Sequence, residues 1–197
     1  MIASVLWPLG QRVDSAGLVA TSREKVALRE GCPAATGHTK WACMQRRKTI
    51  ALSPEEQQRF LEGSHTIILT SNDRQGYPHS VAMWYVADPD GTVAMTTFAK
   101  AQKAMNLRRD PRCALLVESG RTYPELKGLL IRGRASLDPD TEHVLDVLQQ
   151  VHAKYNTPGP TEGLRDAMRG QARKRVVIRV HPERVSSWDH AKLGGNY

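Results

Sequence analysis

Thr96, Thr97, Lys100, Lys103 and Asn106 fall in one short stretch of a 197-residue chain. The run Thr92 to Thr96 alternates as a strand does, and Ala101, Ala104, Met105 and Leu107 then recur at helical spacing, which predicts a strand feeding a helix start. Hydroxyls, ammonium groups and an amide would gather where unpaired backbone N–H groups point outward, a place suited to an anion such as a phosphate. A solvated basic helix that merely follows a strand satisfies the same spacing.

The surrounding elements decide what such a site could belong to. Ser53, Pro54 and Glu56 supply an N-cap, a first-turn proline and the closing acid of a capping box, so a short helix is predicted up to Gly63. Strands are predicted over 66–71, 78–87 and 92–97, separated by turns at Asn72–Gly76 and Asp88–Gly91, which together make a meander. Asp110-Pro111 ends the basic helix. Strands follow over 113–118 and 127–137, and the glycines of the second suggest a bulge or bend. Asp138-Pro139 repeats the cap-then-proline signal, with Asp138 as the cap, and opens a helix with a broad apolar face (Val144, Leu145, Val147, Leu148, Val151). After a Pro/Gly loop over 156–163, a short helix is predicted over 164–172 and a strand over 175–180, with His181-Pro182-Glu183 turning it into a further run over 184–189. Short strands with interposed helices make a mainly β, α+β chain: a small antiparallel barrel and not a βαβ layout.

Composition narrows the function. Lys and Arg total 28 against 20 Asp and Glu, a net charge of +8, but residues 1–47 carry 7 basic and 3 acidic residues and so hold +4 of it. A nucleic-acid role therefore rests on net charge alone, with no base-stacking motif. Cys32, Cys43 and Cys113 lack metal-site spacing and are odd in number, which fits a reduced, cytoplasmic setting. No metal constellation and no membrane span is expected. Residues 1–47 hold no period for long and are expected to be a disordered extension, leaving 48–197 as the domain; Met44, just before Gln45-Arg46-Arg47-Lys48, is a possible start.

Several segments then carry a resemblance: Gly76-Tyr77-Pro78-His79, Met83-Trp84-Tyr85, Lys103 to Arg112, Tyr123-Pro124-Glu125-Leu126, Arg132-Gly133-Arg134-Ala135 and Ser187-Trp188-Asp189-His190. In this order they resemble the split β-barrel flavin and deazaflavin family, which includes the pyridoxamine 5′-phosphate oxidases and the actinobacterial reductases that use coenzyme F420. The resemblance covers about residues 48–195. It implies a homodimer with a cofactor in each of two clefts between subunits. By position, His79, Ser80, Val81 and Met83 would lie under the cofactor ring. Thr96, Thr97, Lys100, Gln102, Lys103 and Asn106 would hold the ribityl and phosphate end, and Trp188, His190 and Lys192 would reach in from the other subunit.

The basic Arg-Leu cluster that ends pyridoxamine 5′-phosphate oxidases is missing from Trp188 to Tyr197, while the Trp-Asp-His ending and Tyr-Pro-Glu-Leu resemble the deazaflavin branch. The family often has Lys-Ser-Arg-Lys where this chain has Lys100-Ala101-Gln102-Lys103, and often a basic residue where it has Ala191, so its phosphate grip is thinner. The expectation is an F420-dependent reductase acting on a conjugated small molecule. An FMN-dependent oxidoreductase and a cofactor carrier without turnover stand behind it. His79, His190 and Tyr123 are candidates either to protonate the substrate or to line the pocket. Trp84 and Tyr85 fit core, subunit interface or ring contact alike, and His143 and His152 are expected at the surface.

Overall fold

A computed structural model describes residues 47–156 and 163–194. The expected N-terminal extension, the position of Met44 and most of the 156–163 loop lie outside those residues.

Seven strands form one antiparallel sheet: β1 (Ile67–Asn72), β2 (Pro78–Met83), β3 (Val86–Ala87), β4 (Val93–Phe98), β5 (Arg112–Ser119), β6 (Lys127–Asp138) and β7 (Arg175–Asp189). Their spatial order is β2-β1-β5-β6-β7-β4-β3. β2 and β3 are thus opposite edges of the sheet, yet only Trp84 and Tyr85 separate them in the chain. Three Cα–Cα steps span at most about 11 Å, so the sheet has to curl until its edges meet. This curled sheet is a split barrel. It also corrects the expected meander, because 78–87 is not one strand between its neighbours: its first half pairs with β1 and its second with β4.

The crossing is held from both sides. Tyr85 is fully buried and its hydroxyl donates to the Leu61 carbonyl. The Tyr155 hydroxyl accepts from Tyr85 N–H at 3.2 Å and donates to Tyr85 C=O at 3.2 Å, satisfying both backbone groups that the strand break leaves over.

Inside the barrel lie Ile67, Leu69, Val93, Met95, Leu115, Val117, Leu129, Ile131, Ile178 and Val180. The α-helices that accompany the sheet among the described residues include α1 (Pro54–Gly63), α2 (Gln102–Arg109), α3 (Thr141–Tyr155) and α4 (Leu164–Ala172). α1 begins with the expected capping box: Ser53 N–H donates to Glu56 Oε2 at 2.7 Å and Glu56 N–H to Ser53 Oγ at 3.3 Å. α3 and α4 bury Val144, Leu145, Val147, Leu148 and Ala172 with Ala94 and Val177 on the outer face of β4 and β7. Arg165 ties the two helices together through Glu142 at 2.8 Å and Asp146 at 2.7 Å. Among the described residues no helix is long and apolar enough to cross a membrane.

Two further expectations change. The cap of α3 is Asp140, which accepts from Glu142 and His143 N–H; Asp138 instead accepts from Asp140 N–H and from the His143 ring. His181-Pro182-Glu183 does not turn the chain but sits within the single 15-residue strand β7. The β6–β7 register shifts between Arg132 and Gly133, so one extra residue is accommodated as a bulge. At Gly133 a Cβ would lie 2.0 Å from the His181 carbonyl oxygen, which is why the bulge falls at a glycine.

Candidate functional site

β4 alternates, sending Val93, Met95 and Thr97 inward while Thr96 and Phe98 face out. The chain then enters α2, whose N-cap is Ala101, a residue with no side-chain oxygen to cap the first N–H groups. Lys103 projects from this first turn, and its Nζ donates to Thr97 Oγ1 at 3.3 Å. Burial, and secondarily the Arg175 charge, hold the Lys103 ammonium below the usual lysine pKa. Lys100 is exposed nearby.

The buried face of α2 differs from the expected one. Met105 is exposed, whereas Asn106 has no exposed surface at all. Its amide oxygen accepts from Gln102 Nε2 at 2.8 Å and its Nδ2 donates to Ser71 Oγ at 3.2 Å. Asn106 and Gln102 are therefore engaged with each other, and Asn106 fastens α2 to β1 without offering surface to a ligand. Ser71 stands opposite His79 in the β1–β2 register. His79, Val81 and Met83 share that inward-facing side of β2, and Ser80 lies on the other, hydrogen-bonded to Thr70 at 2.8 Å. One strand face shows only alternate residues, so Ser80 does not join the other three. His79 Nδ1 is buried and has no hydrogen-bond partner among the described residues.

Outside β4, a cavity of about 260 Å³ is bordered by Met83, Trp84, Thr96, Val151, His152 and Arg175, among others. Met83, on the edge strand β2, and Thr96, on β4 next to the opposite edge, thus both border it. Trp84, half exposed, stacks on Tyr155 with centroids 4.8 Å apart and planes 7° from parallel. His152 lines this cavity, unlike His143, which is exposed and bonded to Asp138 at 2.7 Å.

A second group forms at the far end of β7. The Trp188 ring packs where a Cβ on Gly128 would sit, 2.0 Å from that position. His190 Nδ1 lies 3.1 Å from the Tyr123 carbonyl, and the two rings are 4.5 Å apart. A carbonyl only accepts, so this contact puts the proton on Nδ1 and leaves Nε2 as the open nitrogen. Lys192 Nζ donates to Glu56 Oε2 at 2.5 Å and to the Ala51 carbonyl at 2.9 Å. Tyr123, His190 and Lys192 are thus brought together, but away from Lys103: from Arg175 to Trp188 is most of β7, on the order of 40 Å of extended chain.

Residues 53–189 match the family described as pyridoxamine 5′-phosphate oxidase. The chain belongs to that family. A biliverdin reductase of Mycobacterium tuberculosis that depends on reduced coenzyme F420 is 31% identical to this family member over 127 residues, 64% of this chain and 81% of the relative. A solved structure of a conserved hypothetical protein from Mycobacterium tuberculosis superposes with a TM-score of 0.71 at 38% identity, covering 77% of this chain and 93% of the other. An F420 reductase superposes with a TM-score of 0.51 at 23% identity over 66% and 94% of the two chains, a likeness of fold.

For a member of this family, the donor set fits a flavin or deazaflavin. Thr97, Lys100 and Lys103 at an uncapped helix start suit a phosphate, and the orphaned His79 Nδ1 on an otherwise apolar strand face suits one polar atom of a flat ring. Cys113 offers no nucleophile, since burial first, then the nearby Glu183 and Asp110 charges, push its thiol up to about 12. Among the described residues no group of His, Cys, Asp and Glu could hold a metal ion. The sequence reading put His152 at the surface and gave Arg175 no role at the site, yet both border the cavity. Neither lies in a local motif; pairing across the sheet and packing of α3 bring them to the cavity.

Proposed function

We propose that this chain is an F420-dependent reductase that works as a homodimer on a conjugated small molecule. The observation that carries the reading is the Lys103 ammonium, partly desolvated and hydrogen-bonded to Thr97 at the uncapped start of α2. A lysine kept from water beside a hydroxyl and free backbone N–H groups is arranged for an anion. The F420-dependent relative and the Tyr123–Leu126 and Trp188–His190 segments, which resemble the deazaflavin branch, support deazaflavin over FMN. An overall surplus of Lys and Arg favours the oligoglutamate tail of that coenzyme.

In this reading Thr97, Lys100 and Lys103 hold the phosphate, with Thr96 beside them, and His79, Val81 and Met83 border the ring. Gln102 and Asn106 act through each other to set the start of α2. Trp188, His190 and Lys192 close the cleft of the partner subunit, because one chain carries them at the far end of β7 from its own Lys103. Bound there, the reduced deazaflavin supplies a two-electron reductant for an electrophilic bond of the substrate. His190 Nε2, left open by the Nδ1 contact to Tyr123, can hold or pass a proton at the cleft rim, and His79 Nδ1 orients the ring.

Turnover tests the reading. Anaerobic mixing of the protein and reduced F420 with a panel of conjugated acceptors, including a linear tetrapyrrole, is expected to oxidise F420 with at least one of them faster than without protein. Binding of F420 with no acceleration for any acceptor would leave a carrier in place of an enzyme.

A further inference from the structure

The outer face of β4 and β7 is covered only in part by helices. Ala94 and Val177 lie beneath α3 and α4, buried with Val144, Leu145 and Val147. Beyond them on the same face come Thr96, Phe98 and Arg175, since Thr96 stands opposite Val177 and Phe98 opposite Arg175 in the β4–β7 register. Thr97 and its Lys103 contact belong to the other face of β4, so this surface is separate from the start of α2. Thr96 and Arg175 border the cavity of about 260 Å³ together with Leu148, Val151 and Met168 of the two helices.

The cavity wall is mostly apolar and includes a fixed aromatic ring. Met83 and Trp84 complete the side chains of the helices, and the Trp84 ring is held by its stack on Tyr155. Two donors interrupt that wall. Arg175 is the one permanent cation among the bordering residues. Its guanidinium rests on the Phe98 ring at 4.4 Å, and no carboxylate pairs with it among the described residues. His152 is the second donor. Asn156 Nδ2 donates to the His152 carbonyl at 3.1 Å, which fixes the amide, and lies 3.2 Å from His152 Nδ1. Nδ1 therefore accepts, and the neutral ring carries its proton on Nε2. No Asp or Glu borders the cavity.

We propose that this cavity binds a conjugated monocarboxylate, with its rings against Trp84, Val151 and Met168 and its carboxylate accepting from Arg175 and His152 Nε2. A planar carboxylate matches the parallel N–H donors of a guanidinium. One cation in an apolar wall balances a single negative charge, whereas a phosphate monoester carries roughly 1.5 to 2 and would bring oxygens with no donors to meet them. Pockets for drug-sized molecules start at roughly 300 Å³, so this smaller cavity suits one or two fused rings. Met83 also borders the cofactor ring in the reading given above, which makes the acid the substrate. Calling it the substrate rests on that reading; the pocket does not.

The test titrates wild type, Arg175→Gln and Arg175→Lys, each labelled with carbon-13 at the methionine methyls, with 2-naphthoate and with its uncharged analogue 2-naphthamide. No cofactor is present in these titrations. The Met83 and Met168 methyls are expected to shift saturably with the acid, while Met95 in the barrel core and Met105 on α2 stay in place. Wild type is expected to bind the acid roughly 10-fold more tightly than the amide, the gain from one charge-assisted contact. Arg175→Gln should lose that preference with amide binding unchanged, and Arg175→Lys should keep part of it. Melting temperatures without ligand show that the variants are folded. In the F420 turnover assay the acid is expected to compete with the acceptor. Acid binding at Met83 and Met168 in a protein that oxidises no F420 upholds the pocket and removes the reductase reading. The absence of a saturable shift, equal affinity for acid and amide, or an acid affinity that survives Arg175→Gln overturns the pocket.

Discussion

The corner where β4 meets α2 and the far end of β7 both carry basic residues, and they treat them differently. At the far end two lysines are matched within the chain, Lys127 with Asp189 at 3.4 Å and Lys192 with Glu56 at 2.5 Å. At the β4–α2 corner Lys100 and Lys103 have no acidic partner among the described residues, although Lys103 is partly shielded from water. Charges matched within the chain hold the chain together. Cations left without an acidic partner beside an uncapped helix start keep donors free, and those donors suit a phosphate-bearing ligand.

The largest expected effect breaks that difference directly. Replacing Lys100 and Lys103 together by alanine should weaken cofactor binding by about 2 to 4 kcal/mol, the worth of two charge-assisted contacts. Calorimetric titration checks it, and the melting temperature without ligand should hold, because no ion pair is broken. Equal affinity would make the basic helix a solvated face.

Gly128→Ala should do the reverse. Its Cβ would meet the Trp188 ring at 2.0 Å, so the ring has to move and the fold loses about 1 to 3 kcal/mol by overpacking. Denaturant unfolding reads that loss. An unchanged unfolding midpoint would contradict the close fit of the Trp188 ring against Gly128.

The smallest effect belongs to Lys192→Ala. The Lys192 hydrogen bond, ahead of the Ser53 backbone contact, holds the Glu56 carboxyl below its ordinary pKa of 4.5. A depressed carboxyl stabilises the folded state above the unfolded value and loses that contribution as pH falls through the folded one. Wild type should therefore lose a little melting temperature below pH 4.5, and Lys192→Ala should lose less of it, since the contribution is already reduced. Both are surface groups, so added salt should shrink the difference. A steeper acid-side loss in the variant would contradict the pairing.

What the sequence disclosed follows the range of the interactions involved. The α1 cap was legible because Ser53, Pro54 and Glu56 act within four consecutive residues. The break at Trp84-Tyr85 was not, because an unbroken β-prone run carries no mark of which edge each half will join. The bulge in β7 looked like a turn because Pro182 disfavours a paired strand, and only the β6 register shows that the ladder continues past it. At the site, Thr97 and Lys103 were found through local spacing, six residues apart. Asn106 was located but its role was not, since an amide reads as polar surface until Ser71 and Gln102 are seen to satisfy it. Arg175 had no local signal; it stands against Phe98 only because β7 lies beside β4.

Equilibrium dialysis of one protein sample against oxidised F420 and against FMN, side by side, tests the central claim most directly. The account predicts that F420 is retained and that FMN is retained less tightly. Tight retention of FMN with none of F420 would contradict it.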